Sequence, residues 1–90
     1  MGTALLKIKI MPESPDTDLK ELQEKAEKII LDNQGKNARF EKQLIAFGLT
    51  ALIASFSIDE SIPTDSFTEN LKDINDVSSA EIIDFRRAFG

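Results

Sequence analysis

Three carboxylates surround a proline early in the chain, and they are the first candidates for chemistry. Glu13, Asp16 and Asp18 lie on either side of Pro15. Clustered carboxylates can bind a divalent cation or exchange protons in general acid–base catalysis. This spacing, however, lacks the ligand pattern and the central glycine of an EF-hand loop. A turn followed by a helix N-cap accounts for the same residues, and we favour that interpretation.

Most other catalytic chemistries lack their residues in this sequence. The chain has no histidine and no cysteine, which excludes a disulfide, a redox pair, a zinc site built on those ligands and a histidine general base. Ser55 and Ser57 therefore have no histidine to activate them as nucleophiles. None of the four glycines belongs to a glycine-rich phosphate loop. We expect no cofactor, no metal and no enzymatic activity.

An aromatic residue beside a glycine and a pair of arginines are the remaining unusual features. Phe47 precedes Gly48 within the largely apolar stretch 44–52, and a glycine there marks a turn, a bulge or a close backbone approach. Phe47 is then either packed in a tight hairpin or exposed as a probe for a partner. Arg86 and Arg87 are the only adjacent basic residues. An exposed aromatic with a nearby arginine is typical of interfaces, although a solvated chain end also explains the arginines.

The first half of the chain is predicted to form a strand, a helix and a second strand. Apolar residues alternate over 3–11, which indicates a half-buried strand, and the turn-rich segment 12–16 ends it. Asp18 and Glu21 have the spacing of a capping box at the start of a helix. That helix carries one apolar stripe at helical spacing and a charged opposite face. A second strand is expected over 38–46.

The second half repeats this order from its own strand. Residues 49–58 are apolar or small on both faces, which predicts a strand in the middle of a sheet. A second, shorter amphipathic helix follows. Residues 77–87 are predicted to be the last strand, with Ile83 and Phe85 on one face and Ile82 on the other.

The order of elements predicts the fold. Strand, helix, strand, strand, helix, strand with right-handed crossovers gives an α/β (α+β) fold, a ferredoxin-like βαββαβ sandwich. Its four-stranded antiparallel sheet carries both helices on one face. A chain of 90 residues is expected to form a single domain, 1–90. The opposite face of the sheet is left open, which makes it a natural docking surface.

Charge and hydropathy exclude several classes of partner. The net charge of −5 argues against a generic nucleic-acid binder and fits a partner with a basic surface. RNA-recognition modules share this topology but stack bases on aromatic side chains, whereas the third strand offers Phe56 alone and no basic residue. No stretch resembles a signal peptide or approaches the ~20 apolar residues that span a bilayer. We expect a cytoplasmic protein with no direct nucleic-acid partner and no membrane partner.

Three stretches of the sequence resemble a known family. They are KIMPESPDTDL at the first strand-to-helix junction, IAFGLTAL around Phe47, and VSSAEI leading to Arg86 and Arg87. With these stretches the chain resembles the archaeal elongation factor 1-beta family, the stand-alone form of the guanine-nucleotide exchange domain of translation elongation factor 1. The resemblance covers essentially the whole chain. It implies a translation elongation factor that promotes release of GDP from elongation factor 1-alpha and loading of GTP.

The resemblance also implies roles for particular residues. In the family, the phenylalanine at the position of Phe47 inserts into an apolar pocket on the GTPase near its nucleotide, and Gly48 supplies the bend that lets the ring project. A basic residue near the C-terminus, by alignment Arg87 next to Arg86, reaches toward the magnesium site and disturbs Mg²⁺ and phosphate contacts. The eukaryotic members have lysine there, which arginine does not replace freely. The partner would be the GDP-bound GTPase, and this chain would be a monomer when free.

A different function stays open on the residues alone. A ferredoxin-like regulatory module could use the open sheet face to bind a small ligand or to self-associate. Such a module would show a mass that depends on concentration, or a thermal shift with its ligand. A small-molecule enzyme has no catalytic set to support it.

Overall fold

The fold is a four-stranded antiparallel sheet with two helices packed against it. A computed structural model describes residues 2–88 of the chain. The elements in chain order are β1 Thr3–Pro12, α1 Leu19–Asp32, β2 Lys36–Ala46, β3 Leu49–Asp59, α2 Asp65–Lys72 and β4 Val77–Ala88. Across the sheet the order is β2-β3-β1-β4, with every neighbouring pair antiparallel. The predicted ferredoxin-like sandwich and the central position of the third strand are confirmed.

The core lies between the helices and one face of the two central strands. Even-numbered residues of β1 are buried and stand opposite even-numbered residues of β3, for example Leu6 opposite Phe56. The helices add their own apolar stripes, which consist of Leu22, Ala26 and Ile30 of α1 and Phe67 and Leu71 of α2. Burial of each large side chain contributes about 1.5–3 kcal/mol, so this cluster holds the helices on the sheet.

Asp18 is the N-cap of α1, as its type and position predict. Its carboxylate accepts hydrogen bonds from the backbone N–H groups of Lys20 and Glu21 at 3.0 and 3.2 Å. The Glu21 carboxylate lies 3.2 Å from Lys25 Nζ instead of returning to the cap, so one half of the predicted capping box forms. Within residues 2–88, no helix has the length and hydrophobicity needed to cross a membrane.

A β-bulge in β4 changes which of its apolar residues share a face. Ile82 stands opposite Ile8, while Phe85 stands opposite Leu6, and the register shifts between these pairs. Residues directly opposite in an antiparallel pair lie on the same face, so Ile82 and Phe85 both lie on the helix-bearing side. The prediction that Ile82 lies on the opposite face from Phe85 is therefore wrong. Ile83 is the extra residue, and strict counting by twos fails across it.

Candidate functional site

Phe47 stands fully in solvent at the tip of the β2–β3 hairpin. Its side chain is 99 % exposed. Phe47 and Gly48 form a two-residue loop, because Ala46 and Leu49 on either side still pair. Both loop residues have positive φ, 53° and 79°, which is the pattern of a type I′ turn. Of the two placements that the sequence left open for Phe47, the structure shows the exposed one.

The turn is strained at Phe47 but not at Gly48. Type I′ turns prefer Asn, Asp or Gly, and a bulky residue in the left-handed region costs about 1–2 kcal/mol. A Cβ added to Gly48 would meet only Pro15 at 3.8 Å, so the glycine is needed for its φ of 79° rather than for space. A strained aromatic ring in solvent adds nothing to the core. The strain is therefore a reason to assign Phe47 a role outside the fold.

Two further apolar side chains extend the tip. Leu44 is 74 % exposed and Ile45 is 38 % exposed, beside a register shift between Leu44 and Ala46. We call Leu44, Ile45 and Phe47 the apolar tip. Sequence reasoning treated the run as strand interior and missed Leu44 and Ile45. The apolar run immediately before the glycine was the available signal.

Arg86 and Arg87 lie at the opposite end of the sheet. Arg87 stands opposite Ala4 at the start of β1, whereas Gly48 lies beside Pro15, just past the end of β1. A strand of 10 residues at ~3.3 Å each separates the two ends by about 30 Å, in a molecule whose longest dimension is 42 Å. The interpretation of the arginines as near Phe47 is wrong. Because β4 is antiparallel to β1, it starts at the Phe47 end and finishes at the other.

Each arginine takes part in an exposed ion pair. Arg86 Nε lies 3.1 Å from Asp84 Oδ2, and Arg87 Nε lies 3.9 Å from Glu60 Oε2. The two arginine side chains are 75 % and 69 % exposed. Exposed pairs of this kind contribute about 0–1 kcal/mol, so an anionic partner could displace either carboxylate at little cost.

A hydrogen-bonded turn fixes the backbone around Glu60. The Asp59 carboxylate accepts bonds from the Ser61 backbone N–H at 2.9 Å and from the Ser61 hydroxyl at 2.7 Å. These hydrogen bonds lower the pKa of the Asp59 carboxyl below its ordinary value. The Glu60 backbone N–H donates to the carbonyl of Gly2 at 3.0 Å. The carboxylate facing Arg87 is thus carried by an ordered turn.

A groove crosses the open face of the sheet on the side of the arginines. Its volume is about 560 Å³, and its lining includes the cations Lys7, Arg39 and Arg86 and the carboxylates Glu41 and Asp84. We call it the open-face groove. The central strands β1 and β3 place no aromatic ring on this open face. The ring of Phe56 lies on the other side of the sheet, in the core, with 4.9 Å between its centroid and that of Phe67.

The early carboxylates form a turn and a cap, as favoured from the sequence. The Asp16 backbone N–H donates to Ser14 Oγ at 3.0 Å, and Asp18 caps α1. Across residues 2–88, Glu13, Asp16 and Asp18 are not part of any cluster of three or more acidic residues arranged to hold a metal ion.

Comparison with known proteins gives one consistent result. The sequence model of the EF-1 guanine nucleotide exchange domain matches residues 5–88. A protein named elongation factor 1-beta from Nanoarchaeum equitans is 43% identical over 82 residues, 90% of this chain and 100% of that protein. Proteins of the same name are 39% identical in Haloarcula marismortui, over 91% of this chain and 93% of theirs, and in Methanosarcina barkeri, over 97% and 99%.

Proposed function

The chain belongs to the EF-1 guanine nucleotide exchange domain family, and from this premise we propose that it accelerates release of GDP from elongation factor 1-alpha. The family's role is guanine nucleotide exchange in translation elongation. The factor works by binding, without forming a covalent bond to the nucleotide. The two effects on affinity are reciprocal. The factor lowers the affinity of the GTPase for nucleotide by the same ratio by which nucleotide lowers the affinity of the GTPase for the factor.

Arg87 is the residue that we assign to the nucleotide end of the interface. Its guanidinium is exposed, and its only described ion-pair partner is Glu60 at 3.9 Å. A cation brought close to bound Mg²⁺ competes with it for the phosphate oxygens and weakens the metal's hold. Arg86 precedes it in the chain, and its side chain is also exposed. Arg86 assists by adding a second positive charge at the same end.

Phe47 is assigned to a second contact, in which its ring enters an apolar pocket of the same GTPase. A fully exposed ring at a fixed turn loses little entropy when it is buried, and aromatic anchors of this kind carry much of an interface's energy. The two ends of the sheet are about 30 Å apart. If Arg87 is at the magnesium site, Phe47 contacts a region remote from the nucleotide, and not the pocket near the nucleotide that the resemblance implies. We therefore propose that anchoring and nucleotide release are separate tasks.

The observation that carries this proposal is the strained and fully exposed Phe47 in a chain of this family. The test is the release of a fluorescent GDP analogue from an archaeal elongation factor 1-alpha, measured as the factor is titrated. We expect the release rate to rise to a plateau. Phe47→Ala should mainly raise the half-saturating concentration, and Arg87→Ala should mainly lower the plateau. Unchanged release with excess wild-type protein would refute the proposal.

We further propose that the chain acts as one domain, as a monomer when free, in the cytoplasm. The single-domain assignment is supported by one core cluster that draws on both helices and on strands from the edge and centre of the sheet. Sedimentation at two concentrations tests the monomer, because a self-associating module would gain mass as concentration rises.

A further inference from the structure

We infer that the open-face groove binds an acidic polypeptide segment of the GTPase, laid across the strands. This inference rests on the proposed function and adds a third contact area to it. The groove lies on the sheet face away from the helices, and Arg86 connects it to the arginine end. Phe47 has no part in it, so the groove can be tested separately from the apolar tip.

Strand register places the cations of the groove in neighbouring rows. One row runs across all four strands and reads Arg39, Ser55, Lys7 and Asp84. The next row lies two residues away along each central strand and contains Ser57, Leu5 and Arg86. Paired rows on one face of a sheet lie within reach of each other's side chains. Three cations therefore share one concave surface with the carboxylates of Glu41 and Asp84, which gives this surface a small positive charge in a protein whose net charge is −5.

Two of these cations lack a carboxylate partner. None of the ion pairs within 4.0 Å that the structure gives for residues 2–88 involves Lys7 or Arg39. Both side chains are exposed, so each can pair with a carboxylate of a partner without first breaking an ion pair within this chain. The planar guanidinium of Arg39 can donate two parallel hydrogen bonds to one carboxylate.

The rest of the lining fits a peptide better than a nucleic acid. Glu41 and Asp84 border the groove and repel a continuous run of phosphates, yet they can pair with single basic residues of a polypeptide. Exposed aromatic rings that would stack bases are missing from the described lining, whereas Leu5, 49 % exposed, can take an apolar side chain. A volume of about 560 Å³ accommodates a few residues of an extended chain.

The experiment is a charge reversal with a matched control. The double variant Lys7→Glu and Arg39→Glu reverses the unpaired cations of the groove. Lys20→Glu with Lys28→Glu changes the net charge equally on the exposed face of α1. All four positions are exposed, and circular dichroism melts check that both variants fold. GDP release and equilibrium binding to elongation factor 1-alpha are then measured for both variants and for the wild type.

We expect the groove variant to raise the half-saturating concentration and the dissociation constant at least tenfold, with the release rate at saturation unchanged. The control variant should change both by less than threefold. Equal shifts in the two variants would overturn the inference while leaving the proposed function intact. Wild-type protein that binds the GTPase but leaves GDP release unchanged would refute the proposed function, and the binding data would still decide the groove.

A third measurement separates polypeptide from nucleic acid. A fluorescent single-stranded oligouridine is titrated with wild-type protein and with the groove variant at physiological salt. Oligouridine binding that the groove variant abolishes would overturn the assignment to an acidic peptide. Absence of oligouridine binding, together with a tenfold loss of affinity for the GTPase in the groove variant, supports the assignment to an acidic peptide.

Discussion

The two ends of the sheet present their candidate residues in different ways. At one end, Phe47 is held by backbone geometry, in a two-residue turn whose φ angles are both positive. At the other, Arg86 and Arg87 extend from an edge strand on long side chains with weak exposed ion pairs. The aromatic end is therefore fixed before a partner arrives. The arginine end can adapt its side chains after contact.

This difference suits the tasks that we propose. An anchor gains affinity when it is fixed in advance, because less entropy is lost on binding. A cation on a long, exposed side chain can instead adjust its position to the phosphates and metal that it approaches. Variants at the two ends should accordingly change different quantities.

Replacing Phe47 with alanine should cause the largest loss. Removal of a central aromatic anchor costs about 2–4 kcal/mol of binding, which corresponds to roughly 30-fold to 1000-fold in the half-saturating concentration. The midpoint of thermal unfolding should not fall, because the ring has no buried contacts. Leu31→Ala, an exposed apolar residue of α1, is the matched control. A Phe47→Ala protein with wild-type titration behaviour would remove the distinction between the two ends.

Replacing Arg87 with alanine should lower the plateau of GDP release by about tenfold, with a smaller change in the half-saturating concentration. The physical reason is the loss of a single charge of the type that weakens Mg²⁺ binding, worth on the order of 1–2 kcal/mol in a partly screened site. Arg87→Lys should retain part of the effect, since it keeps the charge but loses the planar fork. If Arg87→Ala changed affinity alone, the arginine end would be a second anchor.

Replacing Phe47 with asparagine should stabilise the fold while abolishing anchoring. Asparagine is preferred at this position of a type I′ turn, so unfolding free energy should rise by about 0.5–1 kcal/mol in urea titrations. Gly48→Ala should do the reverse, losing about 1 kcal/mol because its φ of 79° disfavours a Cβ. A Phe47→Asn protein less stable than wild type would show that the turn is not strained.

The smallest effect concerns pH at the arginine end. The hydrogen bonds from Ser61 lower the pKa of Asp59 in the folded state, so their contribution to stability is present above the unfolded-state pKa. It is lost as pH falls through the folded-state pKa. Ser61→Ala removes the bond from the hydroxyl and keeps the bond from the backbone N–H, so it should be slightly less stable than wild type at neutral pH and equal to it in strong acid. Urea unfolding at both pH values checks this, and a difference that persisted in acid would assign the effect to another cause.

Local sequence patterns predicted the parts of this molecule that depend on local chemistry. The alternation in β1 gives its buried face because each side chain simply faces the opposite way from its neighbours. Asp18 was identifiable as a cap because its carboxylate satisfies N–H groups only two and three residues away. The turn at Phe47 was visible because Gly48 tolerates a positive φ.

The features that sequence patterns missed depend on register between distant strands. The bulge at Ile83 exists only relative to its partner strand β1. The open-face groove brings together residues from all four strands, and their spacing along the chain carries no trace of that proximity. The separation of Phe47 from Arg87 follows from the direction of β4, which the predicted topology already contains.

The bulge in β4 affects how readily the protein aggregates at high concentration. β4 is an edge strand of 12 residues whose outer N–H and C=O groups face solvent, with apolar Ile82, Ile83 and Phe85 nearby. A flat edge of that kind is a template on which a second copy can add its own strand and begin a fibril. The extra residue at Ile83 bends the edge and interrupts its ladder, which guards against aggregation at the strand that must also carry the arginines.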